Sequence, residues 1–144
     1  MKKLALASIA LSVFLGACAG PGFTVSDYPG NYYGVLPCAD CGGIQTDLNL
    51  YPDRTYRMRE TYINPPQTVI INNPPPVIVK NQPPVFETKG QWTPTKKHID
   101  LAPEGQPDRP HTYYAPRKGN VMEKLDANAQ PIKSKFNYQL NRKK

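Results

Sequence analysis

The sequence predicts an all-β chain folded as a small antiparallel barrel, and three observations predict it. Short segments of alternating apolar and polar residues recur at intervals of roughly ten residues, the spacing of strands joined by turns. Seventeen prolines and ten glycines in 144 residues disfavour long helices, because proline lacks the amide donor and clashes with the preceding turn. A closed barrel is the expected arrangement of such strands, since it leaves no edge open to neighbouring chains.

The chain opens on a short basic stretch, Met1-Lys2-Lys3, followed by an apolar run over 4–14. That run is too short to span a bilayer, which needs about 20 apolar residues. Its length and basic flank fit a secretory signal. It ends in Leu15-Gly16-Ala17-Cys18, which resembles a lipobox: an aliphatic residue, two small residues, then cysteine. Small residues let a peptidase take an extended backbone at the cut after Ala17. The Cys18 thiol is the nucleophile that accepts diacylglycerol. Residues 1–17 are therefore read as a lipoprotein signal peptide and Cys18 as the lipidated first residue. One acyl chain gives only marginal membrane binding, and two or more give stable anchoring. Ala19 follows the cysteine, where an aspartate commonly marks inner-membrane retention in didermal bacteria. The expected location is the periplasmic face of the outer membrane.

Removal of residues 1–17 leaves 127 of the 144 residues, enough for one domain with a core. Lys2 and Lys3 leave with the signal, so the mature chain carries 16 basic residues against 11 acidic, a balance of +5. Apart from Lys96-Lys97 and Arg142-Lys143-Lys144 the basic residues are scattered, with no cationic stripe interleaved with aromatics. This argues against nucleic-acid binding and fits a basic surface near anionic lipid or lipopolysaccharide.

Residues 18–27, with Ala19-Gly20-Pro21-Gly22, read as a flexible tether, and residues 28–144 as the barrel. Gly30 to Leu36 reads as the first strand. Ile44, Thr46, Leu48 and Leu50 alternate with polar residues, Pro52-Asp53-Arg54 turns the chain, and Tyr56, Met58 and Tyr62 share one side of the next run. Period two on both sides of a turn predicts a hairpin over 44–62. Glu60 falls on its apolar side. Further strands are expected at 86–92, 98–101, 112–115, 121–125 and 136–141, with at most one turn of helix.

A Pro-rich insertion occupies 64–84. It holds two apolar triplets, Val69-Ile70-Ile71 and Val77-Ile78-Val79, bracketed by prolines. Two readings stand: a long mobile loop within a hairpin, or an arm whose triplets add to the sheet edge of a partner. Exposed β-branched triplets invite aggregation, so they are expected to fold back on the barrel or meet another chain.

Cys38 and Cys41 form a C-x-x-C pair in an exported, oxidising setting, where a disulfide is the default. Two alternatives remain open. A reduced pair offers two soft thiolates to Cu(I), with Met58, Met122, His98 or His111 as conceivable further ligands. A thiol–disulfide exchange centre is the third reading. It is disfavoured because Gly42-Gly43 and a strand follow the pair, where redox motifs use a helix N-terminus to lower the thiol pKa. Asp40 between the cysteines also opposes thiolate formation. Catalysis of other kinds has little support. Ser26 and Ser134, the only serines beyond the signal, lack a triad pattern, and the carboxylates of Asp40, Asp47, Asp53 and Glu60 are dispersed. No phosphate-binding glycine loop or zinc-protease signature occurs.

The segment Gly30-Asn31-Tyr32-Tyr33-Gly34-Val35-Leu36-Pro37-Cys38-Ala39-Asp40-Cys41-Gly42-Gly43-Ile44, followed by Thr46, Leu48 and Leu50, resembles the N-terminal domain of the NlpE family. Gly90-Gln91-Trp92, Ile99-Asp100-Leu101, Val121 to Asp126 and Asn137 to Leu140 resemble its later strands. The likeness covers about 28–144, and its specific core is Leu36 to Cys41. It implies a lipocalin-like barrel on the outer membrane. It also implies a non-enzymatic role in copper homeostasis or in sensing envelope stress, relayed to the periplasmic domain of an inner-membrane sensor kinase. Longer family members carry a second, OB-like domain that 127 residues leave no room for, and the Pro-rich insertion departs from the short connection expected there. Two rival functions are a carrier, which needs an open apolar lumen, and a thiol oxidoreductase.

The anchor reading has a direct test. Fatty-acid labelling of cells expressing the chain should mark the wild type and not Cys18→Ser, and the variant should accumulate at the mass of an uncut precursor.

Overall fold

The computed structural model describes residues 24–65, 69–70, 77–78 and 83–144. The signal peptide, the cut after Ala17, Cys18 and most of the expected tether lie outside the described residues. Within the stretch read as a tether, Val25–Asp27 form a 3-10 turn. Thr24 caps it, because its hydroxyl and its amide both donate to Asp27 Oδ2, at 2.7 and 2.9 Å.

Ten strands follow: β1 (Gly30–Leu36), β2 (Gly43–Leu50), β3 (Thr55–Ile63), β4 (Val69–Ile70), β5 (Val77–Ile78), β6 (Val85–Pro94), β7 (Ile99–Pro103), β8 (Thr112–Arg117), β9 (Val121–Lys124) and β10 (Gln139–Arg142). Eight of them close a barrel in the order β1-β10-β9-β8-β7-β6-β3-β2. Every pairing is antiparallel and β1 meets β10 through Tyr32↔Arg142 and Tyr33↔Asn141. The fold class expected from the sequence is the one observed. The hairpin over 44–62 is β2 and β3, in register from Gly43↔Ile63 to Leu50↔Tyr56.

Two elements differ from expectation. The last strand starts at Gln139, not Phe136. Two side chains capture the amides before it: Phe136 N–H donates to Ser134 Oγ at 3.1 Å and Gln139 N–H to Asn137 Oδ1 at 3.0 Å. Local bonds of this kind compete with a sheet ladder. Within the Pro-rich insertion, the described residues of the two apolar triplets form a sheet of their own, apart from the barrel. Val69 pairs with Ile78 and Ile70 with Val77 in a separate two-stranded ribbon. The remainder of the triplets and the intervening prolines, 66–68, 71–76 and 79–82, lie outside the described residues.

Alternate residues of each strand point inward and fill the barrel. Tyr32, Leu48, Ile99, Leu101, Tyr114, Met122 and Leu140 have no exposure, and Trp92, Leu36 and Leu50 have 2%. Two glycines serve close approach. A Cβ on Gly34 would stand 2.4 Å from the Gln139 carbonyl oxygen, and one on Gly90 would stand 1.9 Å from that of Ala102. The Tyr56 ring lies over the vacancy at Gly90.

At the end where β1 begins, the barrel is plugged. Trp92 Nε1 donates to the Tyr51 carbonyl at 2.9 Å, the Arg54 guanidinium lies 4.3 Å over the indole, and Tyr32 Oη donates to the Tyr28 carbonyl at 2.9 Å. Arg142 clasps the incoming chain through the carbonyls of Asp27 and Pro29. These contacts give the indole both a hydrogen bond and a cation, the arrangement a buried tryptophan needs.

Leu48→Ala should cost about 2–5 kcal/mol in denaturant melts, since its cavity lies in the middle of the filled interior. Val35→Ala, at a residue 43% exposed, should change stability by no more than about 0.5 kcal/mol.

Candidate functional site

The end of the barrel opposite the plug carries the loops β1–β2, β3–β6, β7–β8 and β9–β10. The β1–β2 loop holds the cysteine pair. Cys38 and Cys41 are joined in a disulfide with their Cα atoms 5.4 Å apart. Three features of the sequence put it there. Pro37 ends β1 by withholding an amide donor. Gly43, at φ +140°, lets the chain re-enter as β2 where a side chain would strike Val35 Cγ1 at 2.6 Å. Between them, Gly42 N–H donates to the Ile63 carbonyl at 2.8 Å.

That last bond ties the disulfide loop to the final residue of β3, from which the Pro-rich insertion departs. Tyr62 N–H donates to the Pro84 carbonyl at 3.1 Å, so the insertion leaves and returns beside the same loop. The cysteine loop and the insertion are thus one structural corner of the rim.

Around the disulfide lies a shallow cleft of about 290 Å³, formed by Val35, Pro37, Cys38, Cys41, Gly43 and Phe136 among others. Phe136 is 60% exposed and Val35 43%. An exposed aromatic beside a disulfide is an apolar contact surface. The sequence reading missed Phe136 as a rim residue because it was assigned to a strand. Its position between Ser134 and Asn137, both turn formers, is the signal that marks it.

The chemistry open to the pair follows from its surroundings. Asp40 Oδ1 lies 3.8 Å from Cys38 Sγ, and Cys41 Sγ lies 3.3 Å from the Gly43 carbonyl oxygen. Once the pair is reduced, both oxygens disfavour thiolates. A strand, not a helix, follows the pair, so no helix dipole lowers a thiol pKa there. In the disulfide the sulfurs bind each other and present no thiolate to a metal. The reduced pair offers two soft donors, a set that suits Cu(I).

The further ligands considered from the sequence are not gathered there. Met58 and Met122 belong to the core, 5% and 0% exposed. His98 lies in the β6–β7 connection at the plugged end, its ring 5.4 Å from that of Tyr113. His111 Nδ1 sits 2.8 Å from Asp100 Oδ1. Among the described residues no three His, Cys, Asp or Glu side chains converge.

The serines are equally separate. Ser26 Oγ lies 2.6 Å from Thr24 Oγ1, and Ser134 accepts from Phe136. Two of the carboxylates are occupied structurally. Asp47 pairs with Lys143 at 2.5 Å, and Asp53 holds the Thr55 hydroxyl and amide, which lowers its pKa. Glu60 faces inward opposite Thr46 and Phe86. Burial, with the Glu60 charge as a second cause, pushes the Tyr114 phenol far above its ordinary range. Tyrosine, leucine and tryptophan side chains fill the middle of the barrel, which counts against a carrier with an open lumen.

Residues 32–73 match a family model described as the NlpE N-terminal domain. The chain is 34% identical over 112 residues to lipoprotein NlpE of Escherichia coli strain K12, covering 78% of this chain and 40% of that protein. Among solved structures, a candidate lipoprotein from Shewanella oneidensis matches with a TM-score of 0.59 at 27% identity, over 81% of this chain and 90% of that one. The crystal structure of the Cpx pathway activator NlpE from Escherichia coli matches with a TM-score of 0.53 at 34% identity, over 81% of this chain and 52% of that one. The chain thus spans less than half the length of the curated relative.

Because the disulfide closes a loop of only four residues, the chain-entropy argument assigns it roughly 2 kcal/mol. Cys38→Ser and Cys41→Ser should each lose about that much in a denaturant melt. Their far-UV circular dichroism should stay that of the wild type.

Proposed function

From a chain that belongs to the NlpE N-terminal domain family, we propose an envelope lipoprotein, held by lipid on Cys18, whose disulfide-bearing rim docks on the periplasmic domain of an inner-membrane sensor kinase. The Escherichia coli relative is named as a Cpx pathway activator, and a signalling partner of that kind is the reading carried over here. One observation supports it above the others: within the motif Leu36 to Cys41, Pro37 to Cys41 form a loop bordered by exposed Phe136 and Val35. A motif held at an apolar rim serves contact, whereas one buried in the core serves packing.

The proposed mechanism is positional. Ala19 sends the lipidated chain to the outer membrane, away from the kinase. A sorting fault leaves the barrel at the inner membrane, where the rim meets its partner. The role in this reading is non-enzymatic, the rim acting as a contact surface. A dithiol reductant, itself oxidised to a disulfide, would add a second input by converting Cys38–Cys41 to two thiols, which would release their protons on binding Cu(I), and the loop that Gly42 ties to Ile63 would then report the change to the base of the insertion.

A stress-pathway reporter tests this. Ala19→Asp, which retains the chain at the inner membrane, should raise the reporter well above wild type. Adding Phe136→Asp should cancel the rise while abundance and processing stay unchanged. A reporter indifferent to Ala19→Asp would remove the signalling reading. Copper is tested separately: the reduced, unlipidated chain should take up one Cu(I), and Cys38→Ser should not.

A further inference from the structure

Cationic residues from separate parts of the sequence gather at one end of the barrel. Antiparallel connectivity places the start of β1, the turn 51–54, the turn 95–98, the turn 118–120 and the end of β10 together. Two bonds tie these segments: Trp92 N–H to the Arg54 carbonyl at 2.8 Å and Arg142 N–H to the Asn120 carbonyl at 3.0 Å. The segments carry Arg54, Lys96, Lys97, Lys118, Lys143 and Lys144, against the carboxylates of Asp27 and Asp53. Lys143 is paired with Asp47 and Arg54 lies on Trp92. Lys96, Lys97, Lys118 and Lys144 are exposed and make no ion pair among the described residues. The loops of the opposite end carry Asp40 and Asp108 with Arg109, Lys133 and Lys135, while Glu104 lines a cleft with Tyr51 and Thr55 and the turn that follows Asp126 lies beside Lys96 and Lys97.

Two further features sit at the cationic end. Tyr51 and Val25 are exposed there, 41% and 38%, giving an aromatic and an aliphatic side chain among the lysines, as membrane-interface surfaces do. The chain outside the structure also ends here. Thr24 begins the turn whose Asp27 carbonyl accepts from Arg142. The six steps from Cys18 to Thr24 span at most about 20 Å whatever their course.

We infer that this end is a docking face for an anionic bilayer surface, reading the phosphate headgroups of the leaflet in which the anchor sits. The tether brings the barrel close, and the lysines then fix its orientation. Without docking, charges beyond a Debye length of about 8 Å from the leaflet are largely screened. The outcome is a barrel standing plug-down, with Cys38–Cys41, Phe136 and the insertion turned away from the lipid. The inference rests on the lipid-anchor reading for the direction of approach.

The test uses the mature chain, residues 18–144, carrying Cys18→Ser, so that binding needs no anchor. Circular dichroism confirms the fold of each variant. The probes are phosphatidylcholine vesicles with and without phosphatidylglycerol, in sedimentation at low and raised salt. The chain should bind the anionic vesicles only, and less at raised salt. Each lysine near an anionic leaflet contributes roughly fivefold, so Lys96→Glu, Lys97→Glu and Lys118→Glu together should weaken binding more than tenfold. Lys133→Glu with Lys135→Glu, at the other end, should leave binding within twofold. An environment-sensitive dye on Val25→Cys should report an apolar setting on anionic vesicles, and one on Gln106→Cys should not.

No binding by the folded chain, or equal binding by the triple variant, would overturn the inference. So would heparin or single-stranded DNA binding as tightly as the vesicles, since that marks an unspecific polyanion surface. Failure of the anchor shows instead in the fatty-acid labelling of Cys18, and failure of signalling in the Ala19→Asp reporter; neither result alters the vesicle measurement.

Discussion

Ring closure between β1 and β10 is the contact on which the rest of this barrel depends. β1 pairs with β2 along its full length, from Gly30↔Leu50 to Leu36↔Ile44, yet meets β10 through only Tyr32 and Tyr33. That short seam holds because Gly34 offers no Cβ to the Gln139 carbonyl and because Arg142 bonds the carbonyls of Asp27 and Pro29. With the seam shut, the sheet has no free edge, and the inward residues of β1, β2, β9 and β10 bury one another. The plug of Trp92, Tyr28 and Arg54 depends on the same closure, since Tyr28 is placed by the chain that Arg142 clasps.

Much of this was legible in the sequence, and the reasons are physical. From Ile44 to Tyr62 one face is buried and the other is wet, so period two is written into residue type. Glu60 looked like an error in that pattern and is in fact an inward residue opposite Phe86, near the rim. The hairpin turn was legible in Pro52-Asp53-Arg54. The last strand was misjudged because Phe136 and Tyr138 suggested a strand, while the bonds that turn the backbone there come from Ser134 and Asn137. The ribbon of β4 and β5 was hidden because prolines around both triplets suggested coil, whereas Val69 and Ile70 pair with Ile78 and Val77.

The candidate site was legible as a motif and not as a place. Pro37, the two cysteines and the glycines announce a tight loop, but nothing local says that Gly42 bonds Ile63 or that Phe136 stands beside the sulfurs. Those neighbours are distant in sequence and become adjacent only when the barrel closes. The same holds for the lysines of the plugged end. Lys96-Lys97, Lys118 and Lys144 belong to different connections, and only the alternation of up and down strands gathers them.

The hydrogen bond between Tyr62 and Pro84 makes the Pro-rich segment an appendage with a closed stem. β3 and β6 are already paired at Thr61↔Val85, so the barrel's integrity does not run through the twenty-odd residues beyond. Loop length is thermodynamically cheap once its ends are fixed, at about 0.6 kcal/mol for each doubling. Descendants of this gene can therefore lengthen, shorten or exchange the segment with little penalty to the scaffold, which leaves it free to diversify while the walls beneath it stay constrained.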